Sequence, residues 1–303
     1  MLNSIKDSNY QERPPRKKCV LCDSSNTTPL FERWEGVVVK CRDCALIYQF
    51  PQVSKDRYLN EIQKHYSDVD PSLRVAHSRK KLYKKFLCQI EHIKRKNARL
   101  LDVGCGGGYF LSLAKEDGWK TYGLELNPNL VEKGIHDYGL DIQCSDFEES
   151  NFSKDYFDVI TLWNVFDELY DPLKGILKIK NFLKPGGILY LRTTNGAFHL
   201  FTYRIQQVLR KLHLVHLMPY QSSIFHIFNF SNRTLERVLS HNGFQNIKIK
   251  NSCPTSGDPY GVKKGVRSFK IFAYLVAQLV SFLTCGRLTV APSIEVLAEN
   301  AKS

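Results

Sequence analysis

Four cysteines stand in two pairs near the start of this chain, Cys19-Val-Leu-Cys22 and Cys41-Arg-Asp-Cys44, with eighteen residues between them. Two such knuckles let four thiolates converge on one Zn²⁺. A closed set of four leaves no open coordination position, so the metal would be structural, and iron accepts the same four-sulfur geometry. A second constellation runs Leu100-Leu-Asp102-Val-Gly104-Cys-Gly106-Gly-Gly108 and is followed by Gly123-Leu-Glu125. A glycine-rich turn between strand and helix lets the backbone come close to a ligand. The dinucleotide fingerprint needs a third glycine at its sixth position, and counting from Gly104 that position is Tyr109. Asp102 can instead hold the ammonium group of a bound amino acid, and Glu125 is placed to accept both hydroxyls of a ribose. Together they favour a methionine-derived ligand over a pyrophosphate.

Candidates for proton transfer lie further on. The run Trp163-Asn164-Val-Phe-Asp167-Glu168 brings two carboxylates to the end of a predicted strand, and His226 supplies an imidazole. A hydroxyl acceptor benefits from a general base, and histidine titrates in the right range, although a lone histidine is more often an ordinary hydrogen-bonding residue. His226 and Asp167 are the two candidates for the base.

These residues need a scaffold, and the pattern from Arg99 to Tyr190 supplies one. Short apolar runs alternate with helical patterns, the signature of a mostly parallel α/β sheet. Strands are expected near 99–103, 120–125, 141–144, 158–163 and 188–192, with Leu183-Lys-Pro-Gly-Gly187 as the turn before the last. The segments at 244–250 and 293–298 are two further candidate strands. The organisation expected is a zinc ribbon over 1–50, a basic helical linker over 51–97 and a ligand-binding domain over 98–303, with apolar insertions at about 196–230 and 251–290. In the first insertion Phe201, Ile205, Val208, Leu212 and Val215 draw one apolar helix stripe. In the second, the apolar segment Ile271–Cys285 follows Lys263, Lys264, Arg267 and Lys270. Fifteen residues of helix reach about 22 Å, short of the ~30 Å hydrocarbon layer, so a segment lying on a membrane fits better than a span.

The glycine turn, Glu125, Asp146-Phe147 and the Leu-Lys-Pro-Gly-Gly turn together resemble class I S-adenosylmethionine (SAM)-dependent methyltransferases over about 98–250. The resemblance implies a Rossmann-like α/β sheet, mostly parallel with an antiparallel final strand, in which the segments at 244–250 and 293–298 pair as an antiparallel hairpin. It implies SAM as cofactor, bound by Asp102, Gly104, Gly106, Gly108 and Glu125, with Asp146 and Phe147 at the adenine. A four-cysteine ribbon ahead of such a domain is similar to methyltransferases of sugar and surface-polysaccharide pathways, which implies a sugar or lipid-linked glycan as methyl acceptor. The family's usual stretch after strand four carries His, then Glu-His. Here that run has no histidine, which opens the question of the base.

Charge and composition set the remaining expectations. The formal net charge is +13, and Arg74–Lys96 holds nine Lys or Arg against Glu91 as its single acid, a basic patch suited to an anionic membrane, a phosphorylated substrate or nucleic acid. The start has no apolar stretch of signal-peptide length. A cytoplasmic protein is therefore expected, peripheral at the inner face of the membrane, with its nine cysteines as thiols or metal ligands. Two other functions compete with glycan methylation: an RNA methyltransferase that binds through the ribbon and basic stretch, and a non-catalytic SAM-binding module that recruits a partner. Nucleic acid ranks behind the glycan, because neither an Asn-Pro-Pro-aromatic run after strand four nor a Pro-Cys nucleophile is present.

Overall fold

The structure is a computed structural model that describes residues 18–33, 36–65, 69–93, 95–214, 226–255, 266–284, 286 and 288–301. Val215, Lys263, Lys264 and Cys285, named above, lie outside the described residues.

Two sheets organise the chain. The large one has seven strands in the order β10-β11-β8-β7-β4-β5-β6. Its strands are β4 (Arg99–Val103), β5 (Lys120–Glu125), β6 (Ile142–Cys144), β7 (Phe157–Trp163), β8 (Leu183–Thr194), β10 (Phe244–Asn251) and β11 (Ser293–Asn300). Strands β4 to β8 pair in parallel, while β11 runs antiparallel to both β8 and β10. The fold is thus the expected Rossmann-like α/β sheet. The parallel strands are covered on both faces, which is why they read as nearly continuous apolar runs.

Caps fix where the helices begin. Asn127 accepts from Asn129 N at 2.9 Å to start α5 (Pro128–Tyr138), and Asp171 accepts from Lys174 N at 3.1 Å to start α6 (Pro172–Phe182); proline follows each cap. Gly108, with φ +76°, leads from the glycine loop into α4 (Tyr109–Glu116).

One strand differs from expectation. β8 begins at Leu183, which pairs with Phe157, and the next pair is Val159 with Ile188. The Leu-Lys-Pro-Gly-Gly stretch is therefore a bulge inside the strand, with Gly186 at φ +76°, instead of a turn ahead of it.

The expected linker is also more than a tether. It forms α1 (Lys55–His65), α2 (Val69–Ser78) and α3 (Lys80–Ile90). Helix α3 buries Leu82, Tyr83, Phe86, Leu87 and Ile90, and Tyr83 and Phe86 join Phe110, Trp163 and Tyr190 in an aromatic cluster over the sheet. Such ring pairs contribute about 0.5–1.5 kcal/mol each beyond area burial. Its lysines, Lys80, Lys81, Lys84 and Lys85, are exposed.

The small sheet has four strands: β1 (Thr27–Arg33), β2 (Gly36–Cys41), β3 (Ile47–Phe50) and β9 (Phe228–Asn229). Three of these belong to the ribbon. The fourth comes from the far side of α7 (Gly196–Lys211), just before α8 (Asn232–His241). One continuous core joins Cys19, Cys41, Cys44 and Leu46 of the ribbon to Leu101, Leu162, Phe166 and Phe230 of the larger unit.

In the sequence α9 (Val266–Leu283) lies between the two strands of the hairpin β10–β11. Its apolar side is largely uncovered: Phe272, Leu275, Leu279, Phe282 and Leu283 are exposed, Phe282 at 81%. Helix α7 turns Phe201, Val208 and Leu212 outward and buries His199, Leu200, Thr202 and Gln206 instead. No helix among the described residues is long and apolar enough to cross a membrane.

Candidate functional site

In an open parallel sheet the ligand crevice lies beyond the carboxyl ends of the strands, where the strand order reverses. Here β4 is that point, flanked by β5 on one side and β7 on the other. The loop after β4 holds Gly104, Gly106 and Gly108, all at positive φ. A side chain at Gly104 would meet Val165 Cγ2 at 2.4 Å, so the loop after β7 packs directly on the glycine turn. A Cβ at Gly106 would meet nothing within 4 Å, which is the open space a ligand laid along this turn would fill.

Glu125, at the end of β5, ties this loop down. Its Oε2 accepts from Gly106 N at 2.8 Å, and its Oε1 accepts from Leu126 N at 2.8 Å and Asn127 N at 2.9 Å. Burial raises its pKa, and these three N–H donors oppose the shift.

Asp102 lies buried beneath the loop and accepts from Thr161 Oγ1 at 2.6 Å. Burial pushes its carboxyl up to about 8; the Thr161 hydrogen bond and the charge of Arg79 pull it back, while Glu125 adds to the rise. A buried acid with this pKa is poised to be ionised by an arriving cation such as an ammonium group.

Asp146, after β6, caps its own turn by accepting from Glu148 N at 3.0 Å and forms an ion pair with Lys55 Nζ at 2.9 Å. Lys55 also reaches Glu148 at 3.3 Å and Glu149 at 2.8 Å, fastening the start of α1 over this edge of the crevice. The Phe147 side chain is buried in the core against Phe182.

Arg79, at the α2–α3 junction, is a residue that the pattern alone did not single out. Its Nη1 donates to Trp163 O at 3.3 Å, and its buried Nε has no hydrogen-bond partner among the described residues. Arg192, on β8, is buried beside it and donates to Asn164 Oδ1 and to Ser252 Oγ. Burial first, then the charge of Arg79, lower its pKa to about 10. Cationic character thus concentrates at the ends of β7 and β8.

On the acceptor side the structure brings His226, Asp167 and Glu168 together. His226 Nε2 stands 3.7 Å from Asp167 Oδ2, and Nδ1 stands 3.3 Å from Glu168 Oε1. Asp167 is fully buried; its Oδ2 accepts from Thr194 Oγ1 at 2.8 Å, and its Oδ1 has no hydrogen-bond partner among the described residues. The His226 side chain keeps 19% of its surface exposed and is the more open of the two. His199 lies buried nearby, its pKa lowered to about 4 by burial and by His226, so it stays neutral at physiological pH.

The four cysteines of the ribbon also converge. Cys19 Sγ is 3.5 Å from Cys44 Sγ, Cys22 Sγ is 3.5 Å from Cys41 Sγ, and one sulfur of each lies within 4.8 Å of the others. Four thiolates on a tetrahedral Zn²⁺ at about 2.3 Å would sit about 3.8 Å apart, so the donor set fits.

The methyltransferase-domain family model matches residues 75–249, more than half of the chain, and the chain belongs to that family. The matched span holds the glycine loop, Glu125, Asp146, Asp167 and His226. Curated relatives include the ubiquinone biosynthesis O-methyltransferase of Coxiella burnetii (strain Dugway 5J108-111), 28% identical over 120 residues, 38% of this chain and 51% of that protein. The protein of the same name from Xanthomonas campestris pv. campestris (strain B100) is 31% identical over 125 residues, 38% of this chain and 52% of that protein. The chain spans about half the length of these relatives.

Among solved structures, phosphoethanolamine N-methyltransferase 2 of Haemonchus contortus in complex with SAM is similar at a TM-score of 0.55 and 13% identity, covering 91% of this chain and 71% of that one. The [4+2]-cyclase SpnF is similar at 0.50 and 17%, covering 74% and 82%. These likenesses establish the fold, and the family match identifies it as a class I SAM-dependent methyltransferase domain. The open space at Gly106, the buried acid Asp102 and the fixed carboxylate of Glu125 fit SAM.

Proposed function

We propose that the chain transfers the methyl group of SAM to a hydroxyl of a sugar or lipid-linked glycan, with His226 as the general base. The observation that carries this reading is the placement of a partly exposed imidazole beside two carboxylates, Asp167 and Glu168, of the loop that packs against the glycine turn. SAM supplies an activated methyl on a good leaving group, so what the protein must add is orientation and a destination for the acceptor's proton.

Asp102 and Glu125 would bind the two ends of the cofactor's amino-acid and ribose portions, and Val165 against Gly104 sets how closely the acceptor loop approaches. The imidazolium formed when His226 takes up the acceptor's proton is stabilised by Glu168, beside Nδ1, and by Asp167, beside Nε2. Asp167, buried and already accepting from Thr194, orients and charges the imidazole instead of meeting the acceptor itself. Hydroxyl methylation agrees with the O-methyltransferase names of the relatives, and a lipid-linked acceptor agrees with the uncovered apolar sides of α7 and α9. Contact with an anionic membrane and the structural zinc belong to the same reading.

Single-turnover transfer from labelled SAM, offered in parallel to lipid-linked glycans, quinol precursors and RNA, tests the acceptor. Label in the glycan pool is expected. Label confined to quinols would make the relatives' activity the better reading, and label in RNA would replace the glycan altogether.

A further inference from the structure

The ribbon's sheet does not close on itself. Its edge strand β3 takes on β9 in antiparallel register, Ile47 opposite Asn229 and Tyr48 opposite Phe228, and Gln49 N donates to Ile227 O at 3.2 Å. One residue, Ile227, separates His226 from that strand, and Asn229 Nδ2 donates back to His226 O at 2.9 Å. On the other side of β3, the cysteine turn is pinned by Cys41 N donating to Leu46 O at 2.8 Å and Ala45 N donating to Cys41 O at 3.0 Å. Two residues separate Cys44 from Ile47, so the cysteine centre and the candidate base are one strand ladder apart.

Further contacts lock the same arrangement. Phe230 packs on Phe166 with ring centroids 4.7 Å apart, and Phe166 immediately precedes Asp167. Gly196 N donates to Phe230 O at 2.8 Å, and a side chain at Gly196 would meet the Asn229 backbone at 2.8 Å. Arg237, on α8, donates to the carbonyl of Asp43 inside the second cysteine knuckle. β9 itself is only two residues long. So short a strand has no stability of its own and holds its place only through its neighbours.

We infer that the four-cysteine ribbon is the positioning device of the acceptor site: by seating β9, it sets His226 against Asp167 and Glu168. The catalytic side of this statement rests on the reading of His226 as the base; the mechanical side does not. The cofactor strands β4 and β5 share the core with the ribbon, but neither they nor β6 are part of the β3–β9 ladder, so loosening that ladder acts on the acceptor half of the site first.

The test uses the full chain, loaded with zinc and after metal removal by chelation, with hydrogen exchange and SAM titration as readouts. After metal removal, exchange in a peptide covering 226–231 is expected to speed up at least tenfold. Exchange over 99–108 should stay unchanged and the SAM dissociation constant should move less than twofold. Unchanged exchange at 226–231 overturns the inference.

A second variant guards against general unfolding. Gln49→Pro removes the one N–H that bonds Ile227 and leaves every cysteine in place. With zinc still bound at one per chain, it should show the same local loss of protection and a fall in kcat without a rise in the KM for SAM. A Gln49→Pro protein with normal protection and normal kcat contradicts the inference. Faster exchange with turnover intact would uphold the clamp and remove His226 as base; loss of turnover in His226→Ala with exchange insensitive to metal would do the reverse.

Discussion

Asp102 carries its acid where the ligand's positive charge is expected, and its chemistry there is measurable. With burial pushing its carboxyl up to about 8 from the ordinary 3.8, the folded chain keeps a proton that the unfolded chain releases in this window. The contribution of Asp102 to stability therefore falls as pH rises from about 4 to about 8. Cofactor binding has the opposite sign, because an ammonium partner favours the carboxylate and binding expels the proton. SAM affinity is expected to rise with pH from about 6 to about 8, by up to about tenfold per unit, until the cofactor's own amine begins to lose its charge near 7.7–8.0. Isothermal titration across this range checks it, and Asp102→Asn should flatten the slope. Asp102 and Glu125 were legible in sequence because their spacing from the glycines is local. Arg79 was not, since in sequence it is one of nine basic residues in a run and only the fold turns its guanidinium inward. The same holds for the division of labour between Asp167 and His226, which depends on burial.

At the scale of elements, strong local periodicity translated well. The strands expected at 99–103 and 120–125 have those bounds in the structure, and the hairpin strands at 244–251 and 293–300 frame the insertion. The bulge at 184–187 was hidden because Pro-Gly-Gly signals a break in the chain without saying whether the strand resumes the same ladder. The stripes on α7 and α9 show a further limit: helical spacing identifies an apolar face, but not whether protein covers it. Both faces stand open. A Phe or Leu side chain moved from water into lipid contributes about 1.5–3 kcal/mol. Flotation with anionic vesicles is therefore expected to carry the protein upward, and replacing Phe272, Leu279 and Phe282 by Ala should weaken the partition at least about a hundredfold. A wild-type protein that stays fully unbound, with anionic lipid present, argues against membrane contact.

At the scale of the whole molecule, the ribbon and the methyltransferase unit share one core and one four-stranded sheet. The cysteine spacing made the ribbon legible. Its fourth strand was not, because two residues have no periodicity and their partner lies about 180 residues away in sequence. That pairing joins the cysteine centre to the chain just after His226; in the proposed reading the ribbon seats the acceptor side, while the glycine loop with Glu125 would hold the cofactor. The measurement that bears most directly on the proposed catalysis is single-turnover methyl transfer by wild type and His226→Ala at saturating SAM, with SAM affinity determined on the same preparations. The expected result is a loss of about 10²–10⁴ in the transfer rate with an unchanged SAM dissociation constant; a His226→Ala protein that transfers methyl at the wild-type rate would contradict it.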